Sequence, residues 1–260
     1  MKGSAKPVKL VSVVNGRAQA IEAEVVTEGL SCISVNGVEM ATWMCSPNDL
    51  DLMALGFLAN EGIISSLADV RDVHVSRQKS CVDVWLQDAA YTPPTRAIVT
   101  AGCGGGITFD DLSEQYEPLP STLSADPALL AELMRGMHQG AAVYQRARGI
   151  HTAALADAGG IWLQVEDIGR HNCLDKLRGA ALKAGRPTAD NILLSSGRIS
   201  SEMITKARRM GTPIVCSRTS PTSLSVALAE AWGIAIVAYL RQDRMRLYTH
   251  PARVLAQAAV

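Results

Sequence analysis

The chain has six cysteines but lacks the close pairs of a redox or zinc motif. Cys32, Cys45, Cys81, Cys103, Cys173 and Cys216 are scattered, and no two form a CxxC. Such spacing leads us to expect most of them to be reduced, buried core thiols in a cytoplasmic protein. A charge excess of either sign is also missing, since 25 basic residues balance 25 acidic ones. That argues against a dedicated nucleic-acid binder and leaves room only for local basic patches. No uninterrupted apolar stretch reaches the roughly 18 residues of a membrane span. The start, Met1-Lys2-Gly3-Ser4, lacks the apolar run of a secretory signal. There is no internal repeat and no low-complexity segment.

What is present reads as globular: 260 residues, 48% apolar and 19% charged. This length suits one large or two modest domains and buries roughly 70–75% of the unfolded surface without staples. Thr100-Ala101-Gly102-Cys103-Gly104-Gly105-Gly106 sets four glycines around one thiol. Glycines let backbone approach a ligand, and consecutive N–H groups can form an anion nest, which favours a thiolate. The alternative is a turn with an incidental cysteine.

Before that loop, residues 8–14 and 21–26 read as strands. Residues 32–35 and 38–43 flank Asn36-Gly37, the strongest short hairpin signal. Ser46-Pro47 offers an N-cap and a proline at N1 for a helix ended by Gly62. Residues 73–77 and 82–86 alternate as a further hairpin, and 96–99 form a strand leading to Cys103. The first half is thus an α+β unit of antiparallel strands, and residues 117–127, rich in proline, read as a linker. We place the smaller domain at 1–118 and the larger at 119–260.

Asp126-Pro127 caps a helix that Gly140 interrupts. Strands at 152–156 and 161–166 precede a helix containing Leu174, Leu177, Ala181 and Leu182. A strand at 191–194, a helix at 202–210, a strand at 214–216, a helix capped by Ser220-Pro221 and a strand at 234–240 follow. This alternation implies α/β architecture with parallel strands joined by right-handed crossovers. Ligands bind beyond the carboxyl ends of such strands. Loops 167–172, 195–201, 217–220 and 241–246 share that edge, and their arginines and small polar residues suit an anionic small molecule.

Glu166-Asp167-Ile168-Gly169-Arg170-His171-Asn172-Cys173-Leu174-Asp175-Lys176 closely resembles the signature of the formate dehydrogenase accessory sulfurtransferase family (FdhD). So do Ser195-Ser196-Gly197-Arg198-Ile199-Ser200-Ser201-Glu202-Met203 and Tyr248-Thr249-His250-Pro251. Gly56-Phe57-Leu58 followed by Glu61-Gly62-Ile63-Ile64 agrees as well. The resemblance implies a three-layer α/β domain similar to the cytidine deaminase fold, homodimers and a cytoplasmic setting. It implies that sulfur passes from a cysteine desulfurase, as a persulfide, to a bis(molybdopterin guanine dinucleotide) molybdenum cofactor needed by the formate dehydrogenase apoenzyme. The persulfide position matches Cys103. The cofactor-binding stretch matches Tyr239, Leu240, Arg241, Gln242, Asp243 and Arg244, and guanosine diphosphate is the expected mimic. The family's second loop cysteine falls at Gly106, so the loop cannot close its own disulfide, and Cys173 is the nearest motif thiol that could assist.

Arg170, Arg198, Arg241 and Arg244 are candidates for phosphate contacts, or else surface ion-pair members. Ser196, Gly197 and Gly169 belong to the same loops, and Asp167 or Glu166 could accept from guanine N–H groups. His171 is either an acid–base group or a histidine that fixes its loop by hydrogen bonding. His151 begins a strand. Three readings stay open: a sulfurtransferase and cofactor carrier, a cofactor chaperone without persulfide chemistry, and a zinc hydrolase of the deaminase type. The last expects H-x-E and P-C-x-x-C, whereas the chain has His171-Asn172-Cys173 and a lone Cys216.

Overall fold

The computed structural model describes residues 4–78, 80–92, 98–99, 107–108, 117–242 and 244–255. Cys103, Gly106 and Asp243 lie outside them. The described chain opens with an antiparallel hairpin, β1 (Ala5–Val14) and β2 (Arg17–Val26). Its turn is Asn15-Gly16, both at positive φ, the backbone that two-residue hairpins need.

A four-stranded sheet follows in the order β4-β3-β6-β5. It contains β3 (Gly29–Val35), β4 (Val38–Cys45), β5 (Val70–Val75) and β6 (Cys81–Leu86). The Asn36-Gly37 hairpin is as expected, but the central β3–β6 pair is parallel. Cys32 and Cys81 lie opposite each other in that pair and form a disulfide. This corrects the expectation of reduced thiols for these two, while Cys45, Cys173 and Cys216 are free and buried. Helix α1 (Leu50–Asn60) packs on the sheet. Its N-cap is Asp49 in the left-handed region, with no side-chain cap, rather than Ser46. Ser46 is engaged elsewhere, as shown below. Two short strands, β7 (Ile98–Val99) and β8 (Ile107–Thr108), pair antiparallel.

The second half is a three-layer sandwich. Its six-stranded sheet runs β10-β9-β11-β12-β13-β14. The strands are β9 (His151–Asp157), β10 (Gly160–Asp167), β11 (Ile192–Ser195), β12 (Ile214–Ser217), β13 (Ala235–Arg241) and β14 (Arg244–Leu247). Only β11, β12 and β13 form parallel pairs, so the parallel expectation holds for the centre alone. Residues 244–247, expected in a loop, are strand β14.

Alternate side chains of each strand enter different cores. Leu155, Leu193, Val215 and Ile236 meet α4 (Arg170–Lys183), α5 (Ser201–Met210) and α6 (Ser223–Ala231). Ala154, Leu194, Cys216 and Val237 meet α2 (Pro127–Gly140) on the other face. The Asp126 carboxylate caps α2, accepting from Ala128 N at 2.6 Å. A short α3 (Ala142–Ala147) follows α2, and α7 (Ala252–Leu255) closes the described chain. α6 is capped by Thr222 rather than Ser220, because Pro221 is held in a bridge to Ile199. Among the described residues no helix is long and apolar enough to cross a membrane.

Candidate functional site

Strands β10, β11, β12 and β13 all end on one edge, at Asp167, Ser195, Ser217 and Arg241, and β9 enters there with His151. The end of α2 and all of α3 overhang that edge. Between them lies a cleft of about 550 Å³, lined by His138, Tyr144, His151, Ser196, Arg218 and Arg241, among others. A recess beside it shares His138, Arg218 and Arg241 and adds Arg135 and Gln242. Among the described residues that line either space there is no carboxylate.

The turn after β11 is held from below. Ser196 N donates to Thr152 O at 2.9 Å, and its Oγ accepts from Thr152 N at 3.0 Å. Ser217 Oγ donates to Gly197 O at 2.6 Å. A Cβ at Gly197 would lie 2.9 Å from Arg170 carbons and 3.3 Å from the His151 ring. Glycine is needed because Arg170 passes directly beneath.

The cationic wall is built from β12 and β13. Arg218 Nη1 donates to His138 Nδ1 at 2.8 Å, which fixes that nitrogen as acceptor. Burial first, and Arg218 second, hold His138 below the usual imidazole range. Arg241 Nε donates to Arg218 O at 3.2 Å. Burial, with Arg170 behind it, likewise lowers His151. Both cleft histidines are therefore neutral near pH 7, and the arginines carry the charge. Tyr239 sits at φ 53 in a bulge of β13, uncommon for a bulky residue, and Arg246 stacks 4.4 Å over its ring.

Under this edge lies a buried polar layer. Asp167 is fully buried and accepts from Ser46 N, Gly169 N and Asn172 Nδ2 at 3.1, 2.8 and 2.9 Å. Lys176 Nζ pairs with it at 2.7 Å. Ser46 Oγ accepts from Ile168 N, so this serine ties the two halves together. His171 lies between Glu202 (Nδ1 to Oε2, 3.2 Å) and Ser200 (Nε2 to Oγ, 3.1 Å). Burial, then Arg170 and Lys206, push it down to about 2. The neutral ring thus donates from Nδ1 to Glu202 and accepts the Ser200 hydroxyl proton at Nε2.

The sequence candidates consequently divide. Arg241 and Ser196 line the cleft, and Gln242 lines its neighbouring recess. Gly197 shapes the turn beside it. Tyr239 and Arg244 line a further recess across β13 and β14. Arg198 is exposed on the loop after β11. Asp167, Gly169, Arg170 and His171 form the buried layer, and Leu240 sits in the core against α2. Glu166 accepts from Val143 N and Tyr144 N, which positions α3 over the cleft. Cys173 is buried, its thiol donating to His151 O and Asp167 O, and burial keeps it protonated.

Sequence reading named the 217–220 loop without its arginine, and it missed His138 and Tyr144. Nothing local marks those two, because they reach the edge only when α2 and α3 cross the sheet. Among the described residues no three His, Cys, Asp or Glu side chains gather as a metal would require.

Comparison with known proteins supplies a context for this geometry. The profile of the FdhD/NarQ family matches residues 26–255. Sulfur carrier protein FdhD of Bacillus subtilis (strain 168) is 33% identical, over 92% of this chain and 93% of that protein. The protein of the same name from Staphylococcus aureus (strain MRSA252) is 32% identical, over 95% of each. The crystal structure of a protein described as a formate dehydrogenase accessory protein from Desulfotalea psychrophila is 27% identical. It superposes with a TM-score of 0.83, covering 97% of this chain and 100% of that one.

Proposed function

This chain belongs to the FdhD/NarQ family, and on that premise we propose that it is a sulfur carrier for the maturation of a formate dehydrogenase. Cys103 takes the sulfur. Its thiolate attacks the outer sulfur of a cysteine desulfurase persulfide, the donor's S–S bond breaks, and the desulfurase thiolate leaves. The acceptor is a bis(molybdopterin guanine dinucleotide) molybdenum cofactor, bound as cargo. The protein works in the cytoplasm as a homodimer.

One observation carries the reading: the cleft presents Arg218 and Arg241 with neutral His138 and His151, and no carboxylate lines it among the described residues. Guanidinium forks suit phosphate. Tyr144 offers a ring face to a purine, with His138 only 5.5 Å from it. These residues would hold a guanine nucleotide end of the cargo, and Gly197 leaves the backbone open beside it.

Mass spectrometry after incubation with a desulfurase and cysteine tests the sulfur step. One added sulfur on the Cys103 peptide is expected, and its absence refutes the persulfide. Gly106 favours one second reading, a cofactor chaperone without persulfide chemistry. That reading predicts guanosine diphosphate binding with an unmodified Cys103.

A further inference from the structure

Arg148 closes α3 in a backbone conformation that the helix end does not require. It sits at φ 54 and ψ −159. A residue that ends a helix in the left-handed region has ψ near about +47° instead. Positive φ with extended ψ lies beside the region left almost entirely to glycine, and an arginine held there costs free energy. Gly149, the next residue, is at φ 59 and carries no such penalty. Backbone outliers of this kind persist where the surrounding structure over-determines them, and they cluster at ligand sites.

What the outlier secures is the position of the guanidinium. Arg148 Cζ lies 4.8 Å from the centre of the Tyr144 ring, over its face. Burial, Arg218 and then Arg148 hold His138 low, so the Arg148 charge acts on that ring as well. Tyr144, His138 and Gly149 all line the cleft. Arg146, two residues earlier, has an ordinary role, an ion pair with Glu24 at 2.9 Å. The start of α3 is fixed by the Glu166 carboxylate on Val143 N and Tyr144 N, and Arg148 N donates to Tyr144 O at 3.0 Å. The short helix is thus held at both ends with Tyr144 at the cleft, and the Arg148 side chain is exposed beside it.

The chemistry follows from shape. A guanidinium is planar and stacks on aromatic rings and on nucleobases alike. A purine that enters over Tyr144 meets the phenol ring on one face. Once the flexible arginine stem swings aside, it meets the guanidinium on the other. Arg218 and Arg241 line the same cleft and suit the phosphates.

Resting on the nucleotide reading above, we propose that Arg148 and Tyr144 form a clamp for the purine base. Arg148 is then the residue that makes the cleft prefer a nucleotide to a bare phosphate.

Calorimetry on the full chain with guanosine diphosphate and with inorganic pyrophosphate separates base from phosphate. The wild-type protein should bind guanosine diphosphate the more tightly. Arg148→Gly should lower that affinity by roughly tenfold, about the effect of one stacked base. The same variant should raise the urea midpoint, because glycine relieves the backbone. Arg148→Lys keeps the charge and loses the plane. Its guanosine diphosphate affinity should fall several-fold while its pyrophosphate affinity stays within about twofold of wild type. Equal guanosine diphosphate affinity in wild type and Arg148→Gly would overturn the clamp and leave the nucleotide reading standing. A parallel loss of both ligands in Arg148→Lys would do the same, as would an Arg148→Gly protein less stable than wild type, since no strain would then aim the side chain. No binding of either ligand to the wild-type protein would overturn the nucleotide reading, and the clamp with it.

Discussion

Gly56 and Gly179 meet where α1 crosses α4, and neither position has room for a Cβ. A methyl on Gly56 would run into the Asp175 carbonyl, and one on Gly179 into the Leu52 carbonyl. Two glycines allow backbone contact, so α1 is enclosed between its own sheet and the second half of the chain. That is why α1 has no polar face: nine of its eleven residues are buried.

Gly179→Ala should therefore act as an overpacking substitution. The helices must separate, at a cost of about 3 kcal/mol. Separation would also stretch the contacts that cross the same seam, Ser46 to Asp167 and Asn60 Nδ2 to Asp175 Oδ1 at 2.8 Å. Urea unfolding measures the loss. Stability within 0.5 kcal/mol of wild type, a margin of about surface-substitution size, would show that the helices are not fixed at this spacing.

The His171–Glu202 contact sets an acid limit on stability. In the unfolded chain the imidazole binds a proton below 6.5, whereas in the fold it stays neutral down to about 2. Protons therefore favour the unfolded state across that window. Stability from His171 is complete above pH 6.5 and is lost as pH falls below it. The slope is at most about 1.4 kcal/mol per pH unit. His171→Gln keeps a donor for Glu202 and removes the titration, so its unfolding free energy should fall less steeply between pH 6 and 4. Parallel slopes for the two proteins would show that other groups set the acid limit.

Local signals were legible in the sequence. Asn36-Gly37 and Asp126-Pro127 each carry their own instructions, a left-handed turn and a capped helix start. Ser46-Pro47 and Ser220-Pro221 look the same on paper and do something else. Ser46 is drawn across to Asp167 and Ile168, and Pro221 is held by Ile199. Tertiary partners outrank the local cap in both cases. The edge that bears the cleft followed from strand order, since four loops had to share it. Its His138–Arg218 contact joins residues 80 apart in sequence, and nothing near either one announces the other.

The Cys32–Cys81 link closes a loop of 49 residues between parallel neighbours β3 and β6. Restricting the unfolded chain over that length stabilises the fold by about 2–4 kcal/mol. A reductant should lower the thermal midpoint of the wild-type protein and leave that of Cys81→Ser unchanged. Guanosine diphosphate binding should be untouched in both, because the link lies in the other half of the chain. An identical midpoint with and without reductant would show that the bridge adds no stability.

Arg218 and Arg241 form one wall of the cleft, and their removal should separate charge from shape. Each charge-assisted contact to a phosphate is worth about 1.5–3 kcal/mol, so Arg241→Ala should weaken guanosine diphosphate binding by roughly tenfold or more. Arg241→Lys should recover part, since the charge stays and the fork is lost. Arg244 lines only the recess across β13 and β14, so Arg244→Ala should cost less. Arg218→Ala has a second effect. It removes one of the charges that hold His138 low, leaving burial and Arg148. His138 in that variant should titrate closer to 6.5 and become a cation as pH falls. Its nucleotide affinity should therefore recover in part between pH 8 and pH 6, while that of Arg241→Ala should not. Calorimetry at the two pH values decides the matter. A flat pH response in Arg218→Ala would mean that His138 does not face the bound phosphate.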